Sequence, residues 1–214
     1  MAFSTPCSRS TLPLHEAAWC RWLACVALWF LLLCGGAARA QQAIELQNLQ
    51  TQRVETQIVL SANWQFDLPS ALEDALYKGV PLYFVIEADV TRERWYFYDK
   101  RLAHAERYLR LAYLPLTQRW RLHVSSQPFT GGNTGVSLMQ NFDTLSEALA
   151  GIRRLSQWPV MSASDFDPEA RQNLALSFRL DLTQLPRPLQ IGLAGQSEWN
   201  LSWSRTQRLQ VDSR

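Results

Sequence analysis

The chain has 214 residues, with 21 Lys and Arg against 19 Asp and Glu, a formal net charge of +2 and four cysteines. Arg9, Arg21, Arg39 and Glu16 fall in the first forty residues, as do Cys7, Cys20, Cys25 and Cys34. From Gln41 onward the chain is therefore charge-neutral and free of cysteine, which excludes a thiol nucleophile, a disulfide framework and a thiolate metal site, and leaves no bulk attraction for nucleic acid.

Arg9 and Arg21 precede the apolar run Trp22–Cys34 (WLACVALWFLLLC), and the small-x-small triplet Ala38-Arg39-Ala40 follows it. A basic start, a short apolar run and such a cleavage site describe a secretory signal peptide over 1–40, with export to the periplasm. The alternative is an uncleaved inner-membrane anchor through residues 22–38, which falls short of the roughly 20 apolar residues of a span. Membrane contact is expected only in that second case. Residues 41–214 are expected to form a single β-rich domain.

Ile44–Gln50 reads as an edge strand. Val54–Phe66 alternates apolar and polar side chains, the pattern of a strand with one wet face. Ser70 and Glu73 have capping-box spacing ahead of Leu72, Ala75 and Leu76, and Gly79 marks the helix end. Val80–Ile86 is apolar on both faces, as a central strand would be. Beyond Val90 the large apolar side chains move to odd positions at Trp95 and Phe97, so a turn is expected within Thr91–Arg94 before an aromatic strand.

Arg107–Leu116 and Arg119–Ser125 read as a ribbon joined at Pro115–Gln118. Ser126–Gly135 reads as a loop with GGNTG at its tip, and Val136–Phe142 as another strand. Thr144 and Glu147 make a second capping box, with Leu145, Ala148, Leu149, Ile152 and Leu155 on one helical face. Trp158–Pro168 looks irregular, and Asp167-Pro168-Glu169 resembles a helix cap and first turn. Leu174–Leu182 alternates again, Pro186–Pro188 makes a corner, and Leu189–Ala194 and Glu198–Ser204 close the sheet system. The fold expected is mainly β: an antiparallel sandwich or open barrel with two short capped helices at connections.

Chemistry finds few footholds. There is no G-x-S-x-G elbow, and His104 (in a charged turn) and His123 (on a polar strand face) are the only imidazoles after the leader. Asp165 and Asp167 lack the rest of a calcium loop, and Gly131, Gly132 and Gly135 lack the Lys-Ser/Thr of a phosphate loop. No catalytic residue, metal or cofactor is assigned. What stands out is Arg92–Arg110, where Arg92, Arg94, Lys100, Arg101, Arg107 and Arg110 interleave with Trp95, Tyr96, Tyr98 and Tyr108. Arginine and aromatic side chains favour interface centres. Arg92, Arg94, Tyr96, Tyr98, Arg107, Tyr108 and Arg110 are accordingly the candidate partner surface; the competing reading is a solvated sheet face of cross-strand pairs.

ALEDALYKGVPLYFVIE (71–87), RWYFYD (94–99), RLAYLPLTQRWRL (110–122), FDTLSEAL (142–149), FRLDLTQLPRPLQI (178–191) and EWNLSW (198–203) occur in this order. Together they make the chain resemble an exported proteobacterial family known as a domain of unknown function, the DUF4390 type. Phe97 stands where that family's pattern has Trp. The resemblance implies a cell-envelope location, brings no catalytic residues, and makes a membrane sensor kinase of nitrogen-regulation type a candidate partner. The function expected is a non-enzymatic protein-interaction domain of the envelope. The alternatives are a sandwich that binds an apolar ligand or lipid, and an unrecognised hydrolase using His123 or acidic residues.

Overall fold

Period-two patterning cannot reveal a two-residue turn, because such a turn leaves the alternation in phase. The boundary between the first two strands, expected between Gln50 and Val54, for that reason falls later. In the computed structural model, which describes residues 44–96, 98–129, 137–185, 190 and 199–212, β1 (Glu45–Val54) and β2 (Gln57–Gln65) form a hairpin closed by Glu55-Thr56. Glu55 takes the left-handed backbone at φ 51°. The described residues belong to one unit, Gln42–Arg214. The leader over 1–40, the GGNTG tip, Pro186–Pro188 and all but Gln190 of Leu189–Ala194 lie outside the described residues.

On β2, Ile58, Leu60, Ala62 and Trp64 are buried, while Gln57, Asn63 and Gln65 are exposed. Helix α1 (Ser70–Tyr77) follows, without the expected capping box. Pro69, not Ser70, is the N-cap, and its carbonyl accepts the Leu72 and Glu73 amides at 2.9 and 3.1 Å. The helix thus starts one residue too early for the Ser–Glu spacing to close. Its end is as expected: Gly79 sits at φ 83°. The Gly79 and Val80 amides donate to the Leu76 and Ala75 carbonyls, which is a Schellman closure. Leu72 and Leu76 are fully buried; at roughly 1.5–3 kcal/mol each, their burial offsets the nucleation cost of so short a helix.

β3 (Leu82–Arg92), β4 (Lys100–Leu114), β5 (Arg119–Ser125) and β6 (Ser137–Phe142) form an antiparallel meander. The turn expected within Thr91–Arg94 lies further on. β3 and β4 stay paired to Arg92–Lys100, so Trp95, Tyr96 and Tyr98 belong to the connection and not to an aromatic strand. Thr144 caps α2 (Leu145–Arg153) with both halves of its box formed. The helix lies close on the sheet at Gly151, where a Cβ would meet the Leu122 side chain at 3.1 Å.

Trp158–Pro168 is more ordered than its sequence suggests. β7 (Arg154–Ser162) begins directly after α2, takes in Leu155, and pairs with β2. Two register shifts break its alternation, and Pro159 is tolerated because β7 is an edge strand. A 3-10 turn covers Ala163–Asp165. Asp167-Pro168-Glu169 is a turn, not a helix start: the Asp167 carboxylate accepts the Glu169 amide and its carbonyl the Ala170 amide. β8 (Gln172–Leu180) pairs with β3, and β9 (Ser202–Arg208) with β8. Trp199 and Leu201 are buried ahead of β9, which starts later than the expected Glu198–Ser204.

The result is a three-stranded sheet β1-β2-β7 and a six-stranded sheet β6-β5-β4-β3-β8-β9, both antiparallel and neither closed on itself. It is a sandwich rather than a barrel. The helices extend the smaller layer, α1 packing on β4 and α2 on β5 and β6. Between the layers Phe178 lies 5.6 Å from Trp64, 5.3 Å from Phe66 and 5.6 Å from Phe84.

The two helix starts make separable predictions. Thr144→Ala is expected to cost about 1 kcal/mol in urea unfolding, whereas Ser70→Ala should stay within about 0.5 kcal/mol of the parent. Equal losses would mean that Ser70 caps α1 after all.

Candidate functional site

The β3–β4 hairpin carries every residue of the sequence-predicted surface, and its register decides which of them meet. Its connection is anchored at the base. The Glu93 amide donates to the Arg171 carbonyl at 2.9 Å, Asn173 donates to the Glu93 carboxylate at 2.8 Å, and Arg92 stands 3.6 Å from Asp167. Beyond that base the side chains project into solvent: Trp95 is 96% exposed, Tyr98 97% and Tyr96 70%. The Trp95 and Tyr96 rings lie 5.1 Å apart. Arg94, Asp99, Lys100 and Arg101 flank them in the chain, with Arg101 reaching back to Asp89 at 3.2 Å.

The structure therefore divides the seven expected residues among three places. Arg94, Tyr96 and Tyr98 lie at the exposed tip, with Arg92 at its base. Tyr108 and Arg110 lie on the outer face of β4, up to ten residues from Lys100, about 33 Å along a strand. Arg110 covers the Tyr83 ring at 5.7 Å. Arg107 shares the parity of buried Leu109 and Leu111, so it turns inward, its guanidinium 5.5 Å from the Trp158 ring of the other sheet. Burial there lowers its pKa. Trp95, the most exposed aromatic at the tip after Tyr98 among the described residues, was absent from the expected surface.

Between tip and mid-face lies a charged network that sequence reading missed. His104 is not in a turn but on the outer face of β4, directly opposite Asp89. Its Nδ1 is 2.9 Å from Asp89 and its Nε2 3.1 Å from Glu106. The Tyr108 hydroxyl donates to the other Glu106 oxygen at 2.6 Å. Glu106 faces Glu87 across the strands, and Arg179 of β8 donates to Glu87 at 2.7 Å. Two carboxylates side by side would repel; the imidazole, phenol and guanidinium hold them in place. The signal was E-x-D on one strand and H-x-E on the next, legible only once the hairpin register is known.

Hydrogen bonds to Asp89, then Glu106, raise the His104 pKa above its ordinary value, because they favour the imidazolium. The Tyr108 hydrogen bond, followed by His104, lowers that of Glu106. Burial, reinforced by Glu106, pushes the Tyr108 phenol up to about 12. Both ring nitrogens of His104 face carboxylates of the network. His123 lies on the same outer face, its ring 5.2 Å from Phe129.

Elsewhere, the apolar gap between the sheets, lined by Thr51, Ile58, Leu60, Val90, Val160, Met161, Leu174 and Leu209, is too tight for a water molecule. Among the described residues no helix is long and apolar enough to cross a membrane, and no three His, Asp or Glu side chains converge on a point that would hold a metal ion.

The His104 linkage carries a sign. A raised histidine pKa contributes stability that is fully present below about 6.5 and is lost as pH rises through the folded-state value. The lowered Glu106 pKa contributes stability present above the ordinary Glu value and lost as pH falls through the folded-state one. Histidine NMR titration should therefore place His104 above 6.5, and Asp89→Asn should bring it down; a value unchanged by Asp89→Asn would break the assignment.

Residues 41–209 match the family model described as Domain of unknown function (DUF4390). No curated protein matches the chain. No solved structure matches it. With most of its length inside that one match, the chain belongs to the DUF4390 family.

Proposed function

We propose that the chain is an exported, non-enzymatic domain of the cell envelope that recognises a protein partner through the tip of its β3–β4 hairpin. The carrying observation is the near-complete exposure of Trp95 and Tyr98 beside Arg94 and Lys100. Trp, Tyr and Arg are the side chains in which interface energy concentrates, and large aromatics are normally withdrawn from water. The base of the hairpin is fixed by Glu93, Asn173, Arg92 and Asp167, so the tip is presented with little ordering cost on binding. Export rests on the leader, with its basic start, apolar run and Ala38-Arg39-Ala40 site. The outer-face network of His104, Glu106, Glu87 and Arg179 acts as a brace for the two strands that carry the tip.

Two measurements test this reading. Protein recovered from the envelope should begin at Gln41 on N-terminal sequencing; a chain beginning at Met1 would point to an anchor through residues 22–38. In cross-linking pull-downs from the native envelope, with the sensor kinase of the resemblance among the candidates probed, Trp95→Ala with Tyr98→Ala should cut partner recovery by more than about tenfold, as hot-spot loss does. Arg110→Glu, some 33 Å away along the strand, should change it little. Undiminished recovery with the tip variant would remove the tip from the interface.

A further inference from the structure

The opposite sheet carries a second feature, independent of the hairpin tip. The outward side of β1-β2-β7 is hollowed into a groove of about 460 Å³ lined mostly by polar residues, Asn48, Gln50, Gln52, Ser61, Asn63 and Gln157, with Arg154 and Ser156 from β7 and the apolar Ala62 and Leu155 completing it. The register arranges them in cross-strand rows: Asn48–Asn63–Arg154, then Gln50–Ser61 facing Ser156 and Gln157. Irregularities in both pairings bend the sheet at this level, between Leu46 and Asn48 on β1 and between Leu60 and Ala62 on β2. Bulges of this kind re-aim side chains and gather beside binding sites.

Gln157 is the informative residue. It sits in the β7 bulge at φ 45°, a conformation that suits glycine and strains a side chain, and its backbone N–H donates to the Ser61 hydroxyl at 3.1 Å. Glu55 and Gln118 share that backbone region, but each lies in a turn between strands. At Gln157 a side chain lines the groove against the backbone preference, and strain retained beside a concave site points to use of the side chain.

The lining chemistry states the ligand class. Carboxamides and hydroxyls each donate and accept, so they match a partner whose groups do both, and among the described lining residues only Arg154 is charged. A polyanion would call for more cations, and an apolar ligand for apolar walls. We infer that this groove binds an oligosaccharide, neutral or bearing a single carboxylate, with Gln157, Asn63 and Gln50 reading its hydroxyl or acetamide groups and Arg154 its acidic group. The volume suits a few sugar units rather than a folded partner.

Calorimetry and amide chemical-shift mapping on the full chain test it, with an N-acetylglucosamine tetramer, a glucose tetramer and a serine–asparagine tetrapeptide as probes. At millimolar concentration at least one sugar should bind and shift the amides of Gln50, Ser61, Asn63 and Gln157. Gln157→Gly should weaken that binding by about tenfold or more while leaving the melting temperature equal or higher, since the strain is relieved. Arg154→Ala should remain folded and weaken the acidic sugar N-acetylmuramic acid more than N-acetylglucosamine. The inference is overturned by no sugar-induced shift in the groove, by tighter binding of the tetrapeptide, or by unchanged affinity in Gln157→Gly. It is equally overturned if Gln157→Gly lowers the melting temperature, because the carboxamide would then be holding the fold.

Discussion

Phe178 is where the two layers are joined. It stands on β8, is fully buried, and touches Trp64 and Phe66 from one sheet while stacking on Phe84 of its neighbouring strand. Each ring contact adds about 0.5–1.5 kcal/mol beyond the area buried. The cluster also fixes orientation, because β8 must present its even positions inward for Phe178 to arrive. Once it does, Arg179 is forced outward to Glu87, and the odd positions of β3 follow. The charged network on the outer face is thus a consequence of the aromatic contact on the inner one.

That coupling makes the long β3–β4 hairpin stiff. Its inner face is set by Phe84, Ile86, Leu109 and Leu111, and its outer face by Asp89, His104, Glu106 and Tyr108. A ribbon free on both faces would twist and fray. Here the connection at its end is anchored at its base, with Glu93 tied to Asn173 at the start of β8 and Arg92 to Asp167 ahead of it.

Much of this was legible in the chain. One-face alternation located β2, β5 and β8, the run of apolar residues identified β3 as central, and Gly79 and Thr144 marked real helix ends. The errors have physical causes. The two-residue turn at Glu55-Thr56 left the phase intact, so the boundary between β1 and β2 was read too early. Pro69 moved the start of α1 by one position and undid the Ser70–Glu73 box. Register shifts and Pro159 hid β7, whose pattern alternates only in part. The candidate surface failed as a single patch for a related reason: Arg107 and Tyr108 are neighbours in sequence and occupy opposite faces of β4. His104, Glu106, Glu87 and Asp89 meet only through strand register, which depends on where the connection begins.

The order of strands in the two sheets also constrains how the chain reaches this state. The β3–β6 meander pairs neighbours in sequence, but β2 must wait for β7, where Gln157 meets Ser61 across 96 residues, and β3 for β8, where Arg179 meets Glu87 across 92. Such distant pairings slow folding, since chain entropy is lost before contacts compensate for it. Until β7 and β8 arrive, both layers are incomplete, and β2 and β3 each keep an unpaired edge that other chains can join. The nascent chain therefore depends on its last third to become safe from aggregation.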